Sequence, residues 1–387
     1  MSALAIEIET RRRQEKRERR KRLNGMLNRI VDGDAFDVLP RLPPCSVQIC
    51  IISPSYWQLR DHGTAQWLDG DPACSHRWRS RYDPNRFSTL FGGDSRNAGC
   101  ALQPVGTVCP YCGAVRVDRQ IGIEATPEEY VARLVRIGRE VRRVLRPDGT
   151  FWLVLGDTYA SDWPSSRRNI IGNASLPNGK REARPSRLGG AKNKDRLMIP
   201  ARIALGLRDD GWYLRDEIIL YKTNAMPESV TDRCTRAHEN LYLLSKNRHY
   251  YFDHEAIKEP IAESTRADPR LTKSGYRVGR PDRGYRGSPA QGGGAFQPND
   301  RFKRNRRSVW VIVNQPSQLP HFATFSESLV EAILAAGSRP GDIVLDCFSG
   351  TGTVATVAER MGRRWIGIEL KPQYARWARQ RVRDAIR

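Results

Sequence analysis

Residues 342–369 constrain the fold more than any other stretch of this chain. Ile343, Val344 and Leu345 form a short apolar run with β-branched residues, as in a strand buried on both faces. The run ends in Asp346, and Gly350-Thr351-Gly352 then turn the backbone into a predicted amphipathic helix over 353–361. A second predicted strand, 364–368, closes on Glu369. This is one βαβ half-unit with glycines at its first turn and an acid at the tip of its second strand. Glycine lets the main chain approach a ligand closely, and a carboxylate at the next strand end is placed to accept both hydroxyls of a ribose. One glycine of the dinucleotide pattern is missing and no phosphate cradle is evident. A nucleoside without phosphates fits better, and S-adenosylmethionine is the obvious candidate.

With 387 residues, the chain buries a core of about 200 to 250 residues and still carries insertions. A formal charge of +22 predicts a polyanionic partner. Nucleic acid is favoured over membrane, because no apolar run of about 18 residues and no signal-peptide core is present. The eight cysteines are unevenly spread and do not resemble a disulfide framework, which points to a cytoplasmic protein with a metal site.

Residues 1–23 form a basic extension without an apolar stripe; ordered structure is expected to begin near Leu27. A strand over 28–34 reaches Asp34, and a short helix follows. A second buried strand, 46–52, runs into Ser53-Pro54-Ser55-Tyr56. The hydrophobic pattern then lapses until about residue 118, which marks an insert. A helix is signalled at Thr126 (cap), Pro127 (first position) and Glu129. Core strands are expected at 151–155, 212–221 and 239–245. The stretch 263–307 is poor in hydrophobics and rich in Arg and Gly, with Tyr276, Tyr285 and Phe296 interspersed. The segments are therefore 1–23, 24–62, the insert 63–117, 118–262, 263–307 and 308–387.

Ser53-Pro54-Ser55-Tyr56 at a strand end is the sharper chemical signal. An exocyclic amine on a base is a poor nucleophile because its lone pair is delocalised into the ring. Two acceptors holding its hydrogens, the Ser53 hydroxyl and a main-chain carbonyl, would pyramidalise the nitrogen and aim its lone pair at a methyl sulfonium. Proline pre-organises the loop, and Tyr56 is suited to stack on a base rotated out of the duplex.

Here the chain resembles the amino-group DNA methyltransferases of prokaryotes and phages, which make N4-methylcytosine or N6-methyladenine. Ser53-Pro54-Ser55-Tyr56 matches three of four positions of the family's [D/N/S]-P-P-[Y/F/W] motif, and Asp346-Cys347-Phe348-Ser349-Gly350-Thr351-Gly352 matches its cofactor motif. The catalytic motif comes first, as in the β arrangement. The resemblance implies an α/β fold, a Rossmann-like S-adenosylmethionine-dependent methyltransferase sheet. It also implies site-specific methyl transfer to cytosine N4 in double-stranded DNA by base flipping, with adenine N6 as the alternative. By the same resemblance Asp346, Phe348, Gly350 and Gly352 line the cofactor and Glu369 holds the ribose. Asp34 lies near the adenine, Phe325 near the methionine end, and Ser53, Pro54 and Tyr56 hold the target base. Serine at position 53 favours cytosine, and Ser55 in place of the second proline puts loop rigidity in doubt. The segment 263–307 occupies the place of the family's target-recognition region. The family admits a homodimer and a companion restriction endonuclease without requiring either, and implies a nucleoid-associated protein.

Cys74-Ser75-His76 and Cys109-Pro110-Tyr111-Cys112-Gly113 form a second constellation. Cys74, His76, Cys109 and Cys112 suit a structural tetrahedral Zn²⁺, with Cys100 or His62 able to replace one ligand. The insert has too little apolar content to fold unaided. Cys45, Cys50, Cys234 and Cys347 are expected to be small core residues. An RNA methyltransferase, or a DNA-binding protein with an inactive methyltransferase fold, remain competing readings.

Overall fold

In the computed structural model, residues 14, 17–59, 61–74, 108–109, 111–160, 190–261, 303–312 and 325–386 are described. Residues 17–26 are helical, and Met26 is buried with Leu23 packed against the core. Regular structure is thus present ahead of Leu27, because these two apolar residues anchor the helix end.

In chain order come β1 (Arg29–Asp32), α1 (Ala35–Val38), β2 (Val47–Ile52), β3 (Gln66–Leu68), β4 (Val115–Val117), α2 (Pro127–Val144) and β5 (Leu145–Leu155). They are followed by α3 (Ile199–Asp209), β6 (Tyr213–Lys222), β7 (His238–Ser245), β8 (Glu259–Pro260), β9 (Lys303–Arg304) and β10 (Val309–Ile312). The chain closes with α4 (Glu327–Gly337), β11 (Ile343–Asp346), α5 (Thr353–Arg360), β12 (Arg364–Glu369) and α6 (Pro372–Ile386). Thr126 caps α2 as its residue type predicts, its hydroxyl accepting from the Glu129 amide at 3.2 Å. Strand β5 starts six residues ahead of the expected 151–155 and takes in Pro147-Asp148-Gly149, whose residue types favour a turn.

Eight strands form one sheet in the order β1-β12-β11-β2-β5-β7-β6-β10. All neighbours are parallel except β7, which runs antiparallel to both β5 and β6. Strand β2 explains why the sheet is covered on both sides. Its Val47, Cys50 and Ile52 face one apolar cluster, together with Tyr130, Leu134, Ile137 and Val141 of α2. Its Ile49 and Ile51 face the other, with α4, α5 and α6. Beyond the register shift between Val47 and Ile49, successive residues turn to opposite clusters, and a strand apolar on both faces is what two helical layers require.

From β11 the chain proceeds through α5 to β12 on one side of the sheet, while β2 leads to β5 on the other. Such a reversal opens a crevice at the carboxyl ends of the strands. Of the cysteines assigned to the core, Cys50 and Cys347 are buried there, but Cys45 and Cys234 are exposed. Cys45 sits in a turn with φ 54° just before β2, and Cys234 lies in the loop after β6, so neither apolar neighbourhood in sequence reaches the core in space.

Candidate active site

Four adjacent strands deliver the site. Asp32 at the end of β1 is level with Glu369 at the end of β12, and Asp346 at the end of β11 is level with Gly367. Leu345 is level with Cys50 of β2, whose last residue, Ile52, precedes Ser53. Asp34, Glu369, Asp346 and Ser53 therefore leave one edge of the sheet side by side, and the loop at residue 55 and the glycine turn at 350 share one crevice.

On the cofactor side, Gly350 and Gly352 adopt φ 50° and 78°. A side chain on Gly352 would stand 2.8 Å from Ala378 Cβ, so this glycine also permits α6 to close on the turn. The Gly350 and Lys371 amides donate to the two oxygens of Glu369, each at 2.8 Å. The Phe348 amide donates to Asp346 at 3.0 Å. Burial pushes the Asp346 carboxyl up to about 7, against the Phe348 amide and with Glu369 adding to the rise. Burial likewise pushes Glu369 up to about 7, partly offset by the Lys371 and Gly350 amides. Ser349 Oγ is buried without a hydrogen-bond partner among the described residues. Two buried acids that can ionise, an unpartnered hydroxyl and a glycine cradle fit a cationic nucleoside such as S-adenosylmethionine.

Phe348 is half-buried against the cluster containing Ile366 and Ile368. Phe325 packs against the opposite cluster, which includes Val354 and Ala355 of α5. Asp34 is at the crevice edge, where the Gly33 amide donates to the Glu369 carbonyl at 2.9 Å. Its carboxylate caps α1 through the Phe36 amide at 2.9 Å and pairs with Arg119 at 2.8 Å.

On the catalytic side, Ser53 and Tyr56 are partly exposed while Pro54 and Trp57 are buried. The Tyr56 ring lies against Gly156, where any Cβ would stand 2.3 Å from the ring. Burial raises the Tyr56 hydroxyl well above the usual phenol range, Glu239 adds to the rise, and a hydrogen bond with Ser53 opposes it. The Ser55 carbonyl accepts from Tyr130 Oη at 2.9 Å, and Gly122 is so close that a Cβ there would lie 2.9 Å from the Ser55 and Tyr56 carbonyls. Trp57 Nε1 donates to the Glu124 carbonyl at 3.0 Å and the Gln58 amide to Gly122 at 2.6 Å. The rigidity that a second proline would supply is thus provided by α2 and the chain leading into it.

Sequence reasoning missed Gly156, Glu239, Arg119 and Asp157. Asp157 follows β5, has a fully buried side chain, and binds Arg196 at 2.6 Å and the Ile199 amide at 2.9 Å. Arg236 donates to its carbonyl. The one available signal was position, since each except Arg119 lies at or next to the active end of a strand.

A family model described as DNA methylase matches residues 47–380. The chain belongs to the DNA methylase family. Among relatives of this methylase, the Type II methyltransferase M.XycI of Xanthomonas campestris pv. cyanopsidis is 34% identical over 353 residues, covering 91% of this chain and 87% of the relative. The Type II methyltransferase M.SmaI of Serratia marcescens is 38% identical over 304 residues, covering 77% and 91%. Among solved structures, the PvuII DNA methyltransferase (cytosine-N4-specific) superposes with a TM-score of 0.49 at 16% identity, covering 92% of this chain and 88% of that one. The methylase is an enzyme acting on DNA. Among its described residues, no helix is long and apolar enough to cross a membrane.

Of the expected zinc ligands, Cys74, Cys109 and Cys112 converge, their Sγ atoms all lying within 4.8 Å of one another. His76 and Cys100 lie outside the described residues. His62, considered as an alternative ligand, instead places Nδ1 3.4 Å from Tyr374 Oη. The segment 263–302 also lies outside the described residues.

Proposed function

We propose that this methylase transfers the methyl group of S-adenosylmethionine to the N4 amine of cytosine in double-stranded DNA. The observation that carries this reading is the shared crevice, with Ser53 and Tyr56 at the end of β2 and Asp346, Gly350 and Glu369 at the ends of its neighbours. When bound, the cofactor supplies an electrophilic methyl on a sulfonium. Glu369 accepts the ribose hydroxyls, Asp346 and Phe348 line the adjoining wall, Phe325 backs the methionine end and Asp34 borders the adenine. Asp34 acts with Arg119 as a single unit, because their ion pair is already formed.

The target base rotates out of the duplex and stacks on Tyr56. Ser53 Oγ accepts one amine hydrogen. The Ser55 and Tyr56 carbonyls are occupied by Tyr130 Oη and the Leu59 amide, so we assign the second acceptor to the Pro54 carbonyl. These two acceptors draw the nitrogen lone pair out of conjugation and toward the methyl group. The amine proton leaves to solvent after transfer, so no buried base is required. A neutral hydroxyl at position 53, where other members of the family carry aspartate, favours cytosine. The stretch 263–307 is assigned to target recognition through arginine contacts to phosphate and guanine. Residues 1–23 add phosphate contacts. A companion restriction endonuclease accords with the Type II relatives.

Mass spectrometry of nucleosides from DNA incubated with enzyme and cofactor tests the assignment. N4-methyldeoxycytidine is expected. N6-methyldeoxyadenosine alone would transfer the same machinery to adenine, and absence of both with no cofactor binding would leave a DNA-binding protein with an inactive fold.

Cys74, Cys109 and Cys112, with His76 as fourth ligand, are assigned to a structural zinc ion. Tetrahedral zinc–thiolate bonds place sulfurs about 3.8 Å apart, and Cys74 and Cys109 Sγ are 3.9 Å apart. Gly113 has φ 73° and donates its amide to the Cys109 carbonyl, the turn such a knuckle needs. Metal analysis finding no zinc in purified protein would remove the assignment.

A further inference from the structure

The insert is more than a decoration on the sheet. Strands β3 and β4 pair antiparallel directly beside the three thiols, with Leu68 opposite Val115. Gly70 lies against them: a side chain there would meet Ala114 at 2.3 Å and Cys112 Sγ at 3.0 Å. From β4 the chain continues into residues 118–124, and nearly every group there holds part of the active site. Asp118 accepts from Thr64 Oγ1 at 2.8 Å, and Gln120 Oε1 from the His62 amide at 2.8 Å. Gly122 and Glu124 hold Gln58 and Trp57 just behind Tyr56. Arg119 reaches the other wall through Asp34 at 2.8 Å and Asp37 at 2.7 Å. The His62 carbonyl accepts from Lys371 Nζ at 2.6 Å, two residues past the ribose-binding Glu369.

We propose that the cysteine-held metal is the brace that sets the catalytic loop against the cofactor pocket, so that its occupancy controls both cofactor affinity and turnover. This rests on the zinc assignment for the thiols and on the methyltransferase reading of the crevice. The physical reason is that β3 and β4, three residues each, bury too little apolar surface to stay paired alone. Val115 and Val117 are exposed, as is Leu68. A short strand pair without a core is stable when a metal closes it. Through the segment 118–124 that closure is transmitted to residues 55–62 and, by Arg119 and Lys371, to the cofactor wall.

The test is hydrogen exchange read by mass spectrometry on the full chain, as purified with zinc and after zinc removal by a chelator, with cofactor titrated into both forms. Zinc removal is expected to leave protection at 151–155 and 343–346 intact. It should cut protection at 55–62 and 118–124 about tenfold or more and weaken cofactor binding by about tenfold, the equivalent of one or two lost hydrogen bonds. Arg119→Ala, which leaves the thiols in place, should retain zinc and reproduce the weaker cofactor binding. Unchanged exchange at 55–62, or a protein that neither contains nor takes up zinc, would overturn the brace. So would loss of protection over the whole sheet, since the metal would then hold the fold rather than this loop. If the zinc-loaded protein binds no cofactor, the methyltransferase reading fails while the exchange result still decides the brace.

Discussion

On the cofactor side of the crevice, the main wall runs from Asp346 to Glu369, bordered by Asp34 and Phe325, and its own bonds lie within that one stretch of sequence. The Gly350 amide meets Glu369, the Phe348 amide meets Asp346, and the glycine turn is closed by α6, which follows at once. On the catalytic side, Ser53 to Gln58 has almost no local support. Its carbonyls, its tryptophan and its tyrosine ring are held by Tyr130, Gly122, Glu124 and Gly156. One wall is built on a single βαβ unit that the insert's flanks touch at its border, through Arg119 and His62, and the other is a loop fixed almost entirely by distant chain. The first should therefore fail by losing affinity, and the second by losing turnover.

The largest effect separates them most cleanly. Glu369→Ala removes two amide-to-carboxylate bonds that shape the turn, as well as the proposed ribose contacts. Hydrogen bonds to charged groups contribute about 1.5–3 kcal/mol each, so calorimetry should show cofactor affinity reduced by about 100-fold or more. Ser53→Ala should leave cofactor affinity unchanged and lower kcat by about 100-fold, the scale of losing one pre-organised polar contact to the reacting group. Equal losses of affinity in both variants would erase the distinction.

A smaller effect comes from pH. Asp346 and Glu369 are both raised to about 7 in the cofactor-free protein. A raised carboxyl binds more protons in the folded than in the unfolded state, so its contribution favours folding at low pH and is lost as pH rises through 7. On the proposed assignment cofactor binding has the opposite sign, because it is the ionised carboxylates that would accept the ribose hydroxyls and attract the sulfonium. Affinity should rise with pH through about 7, by up to about tenfold per unit below it for each carboxylate that must ionise. Calorimetry in buffers of different ionisation enthalpy should detect proton release. The smallest effect is Tyr130→Phe, which removes one hydrogen bond to the Ser55 carbonyl. About 1 kcal/mol corresponds to a kcat roughly fivefold lower, with cofactor affinity unchanged.

The same contrast explains what could be read from sequence. Asp346, Gly350, Gly352 and Glu369 were legible because apolar run, glycine turn and acid follow one another directly in sequence, and the unbroken apolar run at 49–52 likewise announced a buried strand. Ser53 and Tyr56 were legible from their place at a strand end. The contacts that hold them were not, since Trp57 to Glu124 and His62 to Lys371 are pairings made only by the fold. Nothing in the sequence sets Arg119 apart from the other arginines; only the fold brings it to Asp34. Cys45 and Cys234 show the converse error, where apolar neighbours in sequence did not mean burial.

The claim beneath all of this is that the methyl group and the Ser53–Tyr56 loop meet in one crevice. Ultraviolet irradiation of the enzyme with methyl-tritiated S-adenosylmethionine, followed by tryptic mapping, tests it most directly. Label is expected in peptide 42–60, which carries Ser53 and Tyr56. Label absent from that peptide and confined to segments at the opposite edge of the sheet would contradict the account.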